Sequence, residues 1–383
     1  MSAAPLNRVP RVLILSASSG AGHVRAGQAL EQAFLSRGDC QVEHIDTLAY
    51  VGKLFQRLYD KAYISMVRRA LMGFIYDRTD QPWWHPRRRL ALDRLNTQPM
   101  IRMRKTSAAG PVHCHALSSR RNPRVADREE KLRAAQRHRS DGLRRARLVA
   151  LSHRRSLLRG NPGIGGISCR YRGVPAGKVK VTGIPIDPVF EQPLSRTEAR
   201  RKLRLAPDAR VLLIAAGGYG PGPIEQLVHQ LLAEKRSWQL VAIAGKSETL
   251  RKHLEEIGRT AGKLPGGRER LAAVAFTTEM DRYIAAADSL IGKAGGLTTS
   301  GALARGLPMV LIEPIPGQEE RNADHLLEVG AAIRSNNLPA AAWKIATLLE
   351  NSERLAGMRK AAKARSRPDA ARKIVEDALG LLH

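Results

Sequence analysis

Residues 291–326 read IGKAGGLTTSGALARGLPMVLIEPIPGQEERNADHL, and the fold turns on how they are read. SLIGKAGG, residues 289–296, is a strand running into a glycine loop. Residues 297–304 then read as a helix, PMVLIE (308–313) as a strand and 320–329 as a helix. Gly295 and Gly296 fall at the carboxyl end of a strand, where α/β sheets bind ligands. Thr298 and Thr299 add hydroxyls at a helix start beside the loop amides, a set suited to a diphosphate without a metal. One sheet position on, Gln318, Glu319, Glu320 and Asn322 combine carboxylates and amides, which suit paired hydrogen bonds to sugar hydroxyls. Glu320 also reads simply as a solvated charge at a helix start.

The same alternation extends back to residue 210. RVLLIAAGG (210–218), WQLVAIAG (238–245) and LAAVAF (271–276) read as strands. Helices are expected over 223–234, 248–261, 280–287 and 338–349, with two more over 353–364 and 368–382. Strands alternating with helices of this length predict a parallel sheet covered on both faces. AAGGYGPGP (215–223) is a second glycine turn of the same type, which alone reads equally as a plain β–α turn.

The first half opens similarly. Residues 12–15 are a buried strand, SASSGAGHVRAGQAL (16–30) a glycine loop leading to a helix over 27–37, and CQVEHIDTL (40–48) a second strand. Gly20, Gly22 and Asp46 imitate a dinucleotide fingerprint, but Arg25 stands where its third glycine belongs. The loop still suits an anion or an oxygen-rich substrate, and His23 within it is placed to act as a base or merely to cap the helix. Residues 54–96 are mainly helical. Trp83, Trp84 and the run Arg87, Arg88, Arg89 suggest contact with an anionic membrane, or equally a core-facing helix pair with a solvated basic edge.

Composition limits the partners. The net charge is +29 over 383 residues, aromatics are 4%, and the three cysteines lack metal or disulfide spacing. A reducing compartment follows, and no apolar run is long enough to span a bilayer. The opening residues lack the apolar stretch of a signal peptide, so a cytoplasmic location is expected. About half the excess charge lies in residues 101–172, which hold 19 Lys/Arg and 4 Asp/Glu. Within 102–172 the hydrophobic periodicity fails, no convincing strand is visible, and an irregular segment is expected. A short strand at 179–181 and a Gly/Pro-rich linker follow.

Together these motifs resemble the family of monogalactosyldiacylglycerol synthases and processive diacylglycerol glucosyltransferases. SSGAGH, VTGIPIDPVF, AAGGYGPGPI, AIAGKSETL, IGKAGG and GLPMVLIEPIPGQEERNA carry the resemblance over roughly residues 10–100 and 173–383. It implies a GT-B architecture, two Rossmann-like lobes facing across a cleft. The implied acceptor lobe is 1–182, the nucleotide-sugar lobe 183–350, and the C-terminal helices 351–383. The implied reaction is metal-free, inverting transfer of a hexose from UDP-glucose or UDP-galactose to a diacylglycerol-type lipid at the inner face of the plasma membrane, with no cofactor. By position, His23 aligns with the base, beside the acceptor loop of Gly20 and Gly22. Gly218, Tyr219, Gly220 and the loop Ala294, Gly295, Gly296, Thr298 and Thr299 align with diphosphate contacts. Phe276 lies where uracil is held by backbone. Gln318 and Glu319 align with the transferred sugar. Gly245, Lys293 and Asn322, inside the matching motifs, complete the donor set.

Two features depart from the family. Gly301 stands where relatives place a glutamate that grips ribose, a loss of about 2–3 kcal/mol for a charge-assisted contact. Residues 102–172 lack the family's acceptor-lobe strands and Thr-Asp motif. They read either as a stretch in a shifted frame or as a genuine basic insert for acidic lipid or nucleic acid. Translation in the other frames separates the two: without apolar strands and a Thr-Asp motif there, the shift is excluded. Three other readings stand beside the resemblance. One is GlcNAc transfer to a peptidoglycan precursor, against which the Gly-His loop and PGQEERN argue. One is an inactive remnant of the fold. One is a basic nucleic-acid-binding protein, against which the absence of aromatics among the basic residues argues.

Overall fold

The computed structural model describes residues 9–18, 21–50, 112–115, 147–150, 180–215, 223–234, 236–314, 318–335 and 337–380. They form two parallel sheets. The first has the order β2-β1-β3-β4, from β1 (Arg11–Ser16), β2 (Gln41–Asp46), β3 (Val112–His115) and β4 (Arg147–Ala150). All three pairings are parallel. Helix α1 (Ala21–Leu35) joins β1 to β2.

β3 and β4 place two short strands within 102–172, where the sequence pattern showed none. Each is four residues long, too short to show a period of its own. Each gains its ladder from a neighbour: β3 pairs with β1, and β4 with β3. A second correction concerns the opening loop. The helix begins at Ala21 rather than near residue 27, so Gly22 and His23 lie in its first turn. Of the strand expected over 179–181, only 180 and 181 are among the described residues, and residues 180–187 pair with no strand.

The second sheet has the order β10-β9-β8-β5-β6-β7. Its strands are β5 (Arg210–Ala215), β6 (Trp238–Gly245), β7 (Leu271–Ala275), β8 (Ser289–Gly292), β9 (Met309–Leu311) and β10 (Ala332–Arg334). The three-residue β10 was not visible in the sequence pattern. This is the doubly wound order of dinucleotide-binding sheets, with its reversal between β5 and β8.

The central strands β5, β6, β8 and β9 are buried on both faces, which accounts for their unbroken apolar runs. Leu212 and Ile214 of β5 face α3 (Ile224–Ala233), α4 (Glu248–Thr260) and α8 (Ala341–Glu350). Val211 and Leu213 face α5 (Met280–Ala286), α6 (Gly296–Arg305) and α7 (Gln318–Glu328).

The linker ends in a 3-10 turn, Pro188–Glu191, capped by the Asp187 carboxylate, which accepts from the Val189 N–H. Helix α2 (Arg196–Lys202) follows, capped by the Ser195 hydroxyl. Helix α9 (Ser352–Ala364) packs on the second lobe through Ala362. Helix α10 (Ala370–Gly380) crosses back: Ala371, Ile374, Val375 and Ala378 share a core with Val12, Ile14, Leu30 and Phe34. The described residues of the terminal segment, 351–380, are therefore divided between the two lobes. Lys180 pairs with Asp377 at 2.5 Å and Arg372 with Glu191 at 3.2 Å, tying the linker to the returning helix.

Candidate active site

The carboxyl ends of β5, β8 and β9 meet at the sheet's reversal point. Ala215, Pro223, Ile224, Gly292, Lys293, Ile312 and Glu313 line a shallow hollow there. Gly292 is required by close approach: a Cβ on it would lie 2.8 Å from the Ala215 carbonyl oxygen. Glu313, on the rim, holds φ 38°. That left-handed geometry costs a non-glycine residue about 1 kcal/mol or more and is common where a chain is shaped around a ligand.

Beside this hollow, α6 begins at Gly296 with Gly295 as its N-cap, and no side chain caps it. Its first amides and the positive end of its dipole are directed at the loop. Over Gly295 two side-chain oxygens converge. A Cβ at this glycine would stand 3.8 Å from Glu319 Oε1 and 3.9 Å from Thr298 Oγ1. Loop, helix start, hydroxyl and carboxylate thus share one small space, arranged for a ligand that is anionic at one end and hydroxyl-rich at the other.

The residues expected at the donor site divide into lining and framework. The Thr299 hydroxyl donates back to the Gly295 carbonyl at 2.6 Å and is fully buried. Asn322, also buried, donates its amide to the Ala294 carbonyl at 2.7 Å. These two hold the loop's shape, while Thr298 and Glu319 face the space above it. Gln318 opens α7. Gly245 ends β6 with φ 64°, next to a register shift in the β6–β7 ladder. Gly218, Tyr219, Gly220, Gly20, Trp83, Trp84, Arg87, Arg88 and Arg89 lie outside the described residues.

Phe276 follows β7 and is 48% exposed. Two cations stand over it: the Arg25 guanidinium at 5.5 Å and the Lys246 ammonium at 5.9 Å. Arg25 is two residues from His23 on α1, so the first lobe's helix reaches the second lobe here. The helix also abuts α6 and the linker turn. His23 itself is partly buried in the first turn of α1.

Behind α1, His44 of β2 bridges two partners. Its Nε2 lies 2.9 Å from Ser16 Oγ and its Nδ1 3.1 Å from Glu31. A carboxylate only accepts, so in the neutral ring Nδ1–H donates to Glu31 and Nε2 accepts from Ser16. The order serine, histidine, carboxylate is that of a nucleophile triad, but Ser16 is buried and the set acts as a brace between β1, β2 and α1. Gly27 makes room for it: a Cβ there would lie 2.5 Å from His44 Nε2. Neither this brace nor the role of Arg25 and Lys246 was visible in the sequence, since each depends on partners far apart in the chain.

Gly301 is likewise explained by packing. A Cβ on it would meet Ile284 at 3.0 Å and the Phe190 ring at 3.1 Å. Arg305, one turn on, lies 5.4 Å over the same ring and donates to the Gln192 and Val189 carbonyls. The linker's phenylalanine occupies the space that a larger residue at 301 would need.

Two parallel α/β lobes, joined by a short linker and by a helix that returns to the first lobe, define a GT-B glycosyltransferase fold. MurG of Acinetobacter baumannii superposes with a TM-score of 0.55 at 16% identity, covering 97% of this chain and 100% of that one. A glycosyltransferase from Rickettsia africae ESF-5 superposes at 0.52 with 14% identity, covering 97% and 98%.

The sequence similarities are narrower than the fold. Residues 211–374 match the glycosyltransferase family 28 C-terminal domain. The chain is 32% identical over 206 residues to a processive diacylglycerol beta-glucosyltransferase of Bacillus pumilus (strain SAFR-032), covering 54% of this chain and 52% of that protein. It is 27% identical over 398 residues to the enzyme of that name from Bacillus mycoides (strain KBAB4), covering 98% and 94%. In the first of these alignments the chain spans about half the relative's length. The chain is thus similar to proteins named processive diacylglycerol beta-glucosyltransferase, and its second lobe matches the family 28 C-terminal domain.

Proposed function

We propose that the chain transfers a hexose from a UDP-sugar to a diacylglycerol-type lipid, with inversion and without a metal ion. The observation that carries this reading is the convergence of the α6 N-terminus, Thr298 Oγ1 and Glu319 Oε1 over Gly295. Backbone amides and the helix dipole suit the diphosphate, and the Glu319 carboxylate suits a sugar hydroxyl.

In this reaction His23 takes the acceptor hydroxyl's proton as its oxygen attacks C1 of the hexose. The bond from C1 to the diphosphate oxygen breaks on the opposite face, and UDP leaves. The negative charge that develops on the diphosphate falls at the start of α6, where fixed dipoles stabilise it. Action at the inner face of the plasma membrane follows from the acceptor proposed. No helix among the described residues is long and apolar enough to cross a membrane.

The test is transfer of radiolabelled sugar from UDP-glucose or UDP-galactose to diacylglycerol in vesicles. Labelled glycolipid is expected. His23→Gln is expected to lower kcat at least a hundredfold with little change in donor KM, as for loss of a general base. Absence of transfer from both donors rejects the proposal.

A further inference from the structure

Asp288 lies immediately before β8, at the amino-terminal pole of the second sheet. That pole is about 16 Å from the donor loop, at the rise of a six-residue strand. Its side chain is 2% exposed. One oxygen, Oδ2, accepts from Arg200 Nη2 at 2.8 Å and from the Val211 N–H at 2.9 Å. The other, Oδ1, faces three more guanidiniums: Arg196 and Arg359 at 3.1 Å each and Arg210 at 3.5 Å.

One negative charge therefore meets four positive ones. Arg200 is consumed by the fold, since its remaining nitrogens donate to the Ala286 and Pro207 carbonyls. Arg196, Arg210 and Arg359 are only partly covered, and they crowd a single oxygen. The Nε atoms of Arg196 and Arg359 are buried and find no hydrogen-bond partner among the described residues. Burial and neighbouring arginines both push the Arg359 guanidinium below its ordinary range. Three like charges gathered on one atom, with buried donors unmet, are an arrangement that a second anion would complete.

We infer that Arg196, Arg210 and Arg359 form a binding site for a phosphate group at the pole of the second lobe opposite the donor loop. A tetrahedral anion presents several oxygens at once and matches three guanidinium edges that diverge from one carboxylate oxygen. The site stands at the root of both connections between the lobes. Arg196 opens α2, which follows the linker, and Arg359 is on α9, which leads into the returning α10. A bound phosphate braces both connections against the sheet. Free phosphate and a phosphate-monoester lipid headgroup offer the same chemistry.

The test is thermal unfolding of the full chain in rising inorganic phosphate, with ionic strength held constant by sodium chloride. A saturable rise in Tm is expected for the native chain and for the charge-matched variant Lys252→Gln/Lys263→Gln. Arg210→Gln/Arg359→Gln is expected to need at least tenfold more phosphate. Arg210→Gln alone keeps the fold testable: without phosphate its Tm should be unchanged or higher, because a repelling charge is removed. A lower Tm with an unaltered phosphate response would mean a purely structural ion pair and overturn the site. An equal phosphate response in both double variants would also overturn it. Cosedimentation with vesicles bearing phosphatidic acid separates the sources. Loss of that binding in Arg210→Gln/Arg359→Gln alone assigns the headgroup; equal binding by both double variants, with the Tm difference kept, assigns free phosphate.

Discussion

The guanidinium of Arg25 stands 5.5 Å over the ring of Phe276, joining the helix that carries His23 to the strand end of the opposite lobe. Lys246 stacks its ammonium on the same ring at 5.9 Å. At a half-exposed site each such contact is worth about 0.5–1 kcal/mol. The Arg25 contact links α1 to the second lobe. Arg25→Ala is expected to raise donor KM about threefold with the fold intact, and Arg25→Lys to restore most of it. Steady-state kinetics with unchanged Tm checks this; an unaltered KM in Arg25→Ala removes the contact from the donor site.

Gly301 and Phe190 form a second matched pair. Gly301→Glu drives a side chain into the Phe190 ring and Ile284, so destabilisation of about 2 kcal/mol is expected, within the range of overpacked cores. Truncating the ring in Gly301→Glu/Phe190→Ala should recover part of the loss. Denaturant unfolding of the single and double variants measures it, and two additive losses would show that the residues do not compete for space.

The two threonines of the donor loop should separate binding from stability. Thr298→Val removes a hydroxyl that faces the ligand space and should weaken UDP binding about tenfold, roughly 1.5 kcal/mol for a hydrogen bond to a charged group. Thr299→Val removes the buried bond to the Gly295 carbonyl and should cost about 1 kcal/mol of stability. Calorimetric titration with UDP, paired with unfolding, tests both; equal effects of the two on both measurements would contradict the division.

His325 on α7 gives a pH signature. Burial, reinforced by Arg365 and opposed by Glu328, holds its pKa below the ordinary histidine value. Above about pH 6.5 the ring is neutral in both states, and its contribution to stability is complete. As the pH falls below that value the unfolded chain takes up a proton that the folded chain refuses, so stability declines until the folded pKa is reached. Unfolding free energies between pH 7.5 and 5.5 should fall more steeply, by up to about 1.4 kcal/mol per pH unit, in the native chain than in His325→Asn. Parallel profiles would remove this histidine from the pH response.

The alternation of apolar runs with glycine turns from residue 210 onward was enough to read five of the six strands of the second sheet and the glycine loop after β8. Burial on both faces leaves an unbroken apolar run, and a helix start after a strand leaves glycines and hydroxyls, both within about ten residues. The loop after β8 and the helix start that carries Thr298 were legible for that reason. The start of α1 was misplaced because glycines near its N-terminus look like loop. β3, β4 and β10 were missed because VHCH, RLVA and AIR, unlike SLIG and MVL, interrupt so short an apolar run with arginine or histidine.

Local pattern determined which faces are buried, where the turns fall and which residues have the chemistry for a diphosphate and a sugar. Tertiary structure alone decided that α10 returns to the first lobe and that Thr299 and Asn322 support the loop rather than line it. It also filled the space beside Gly301 with Phe190 and gathered four arginines on Asp288. Each of these depends on packing between segments that only the folded chain brings together, and side-chain volume and charge at such distances leave no periodic trace along the chain.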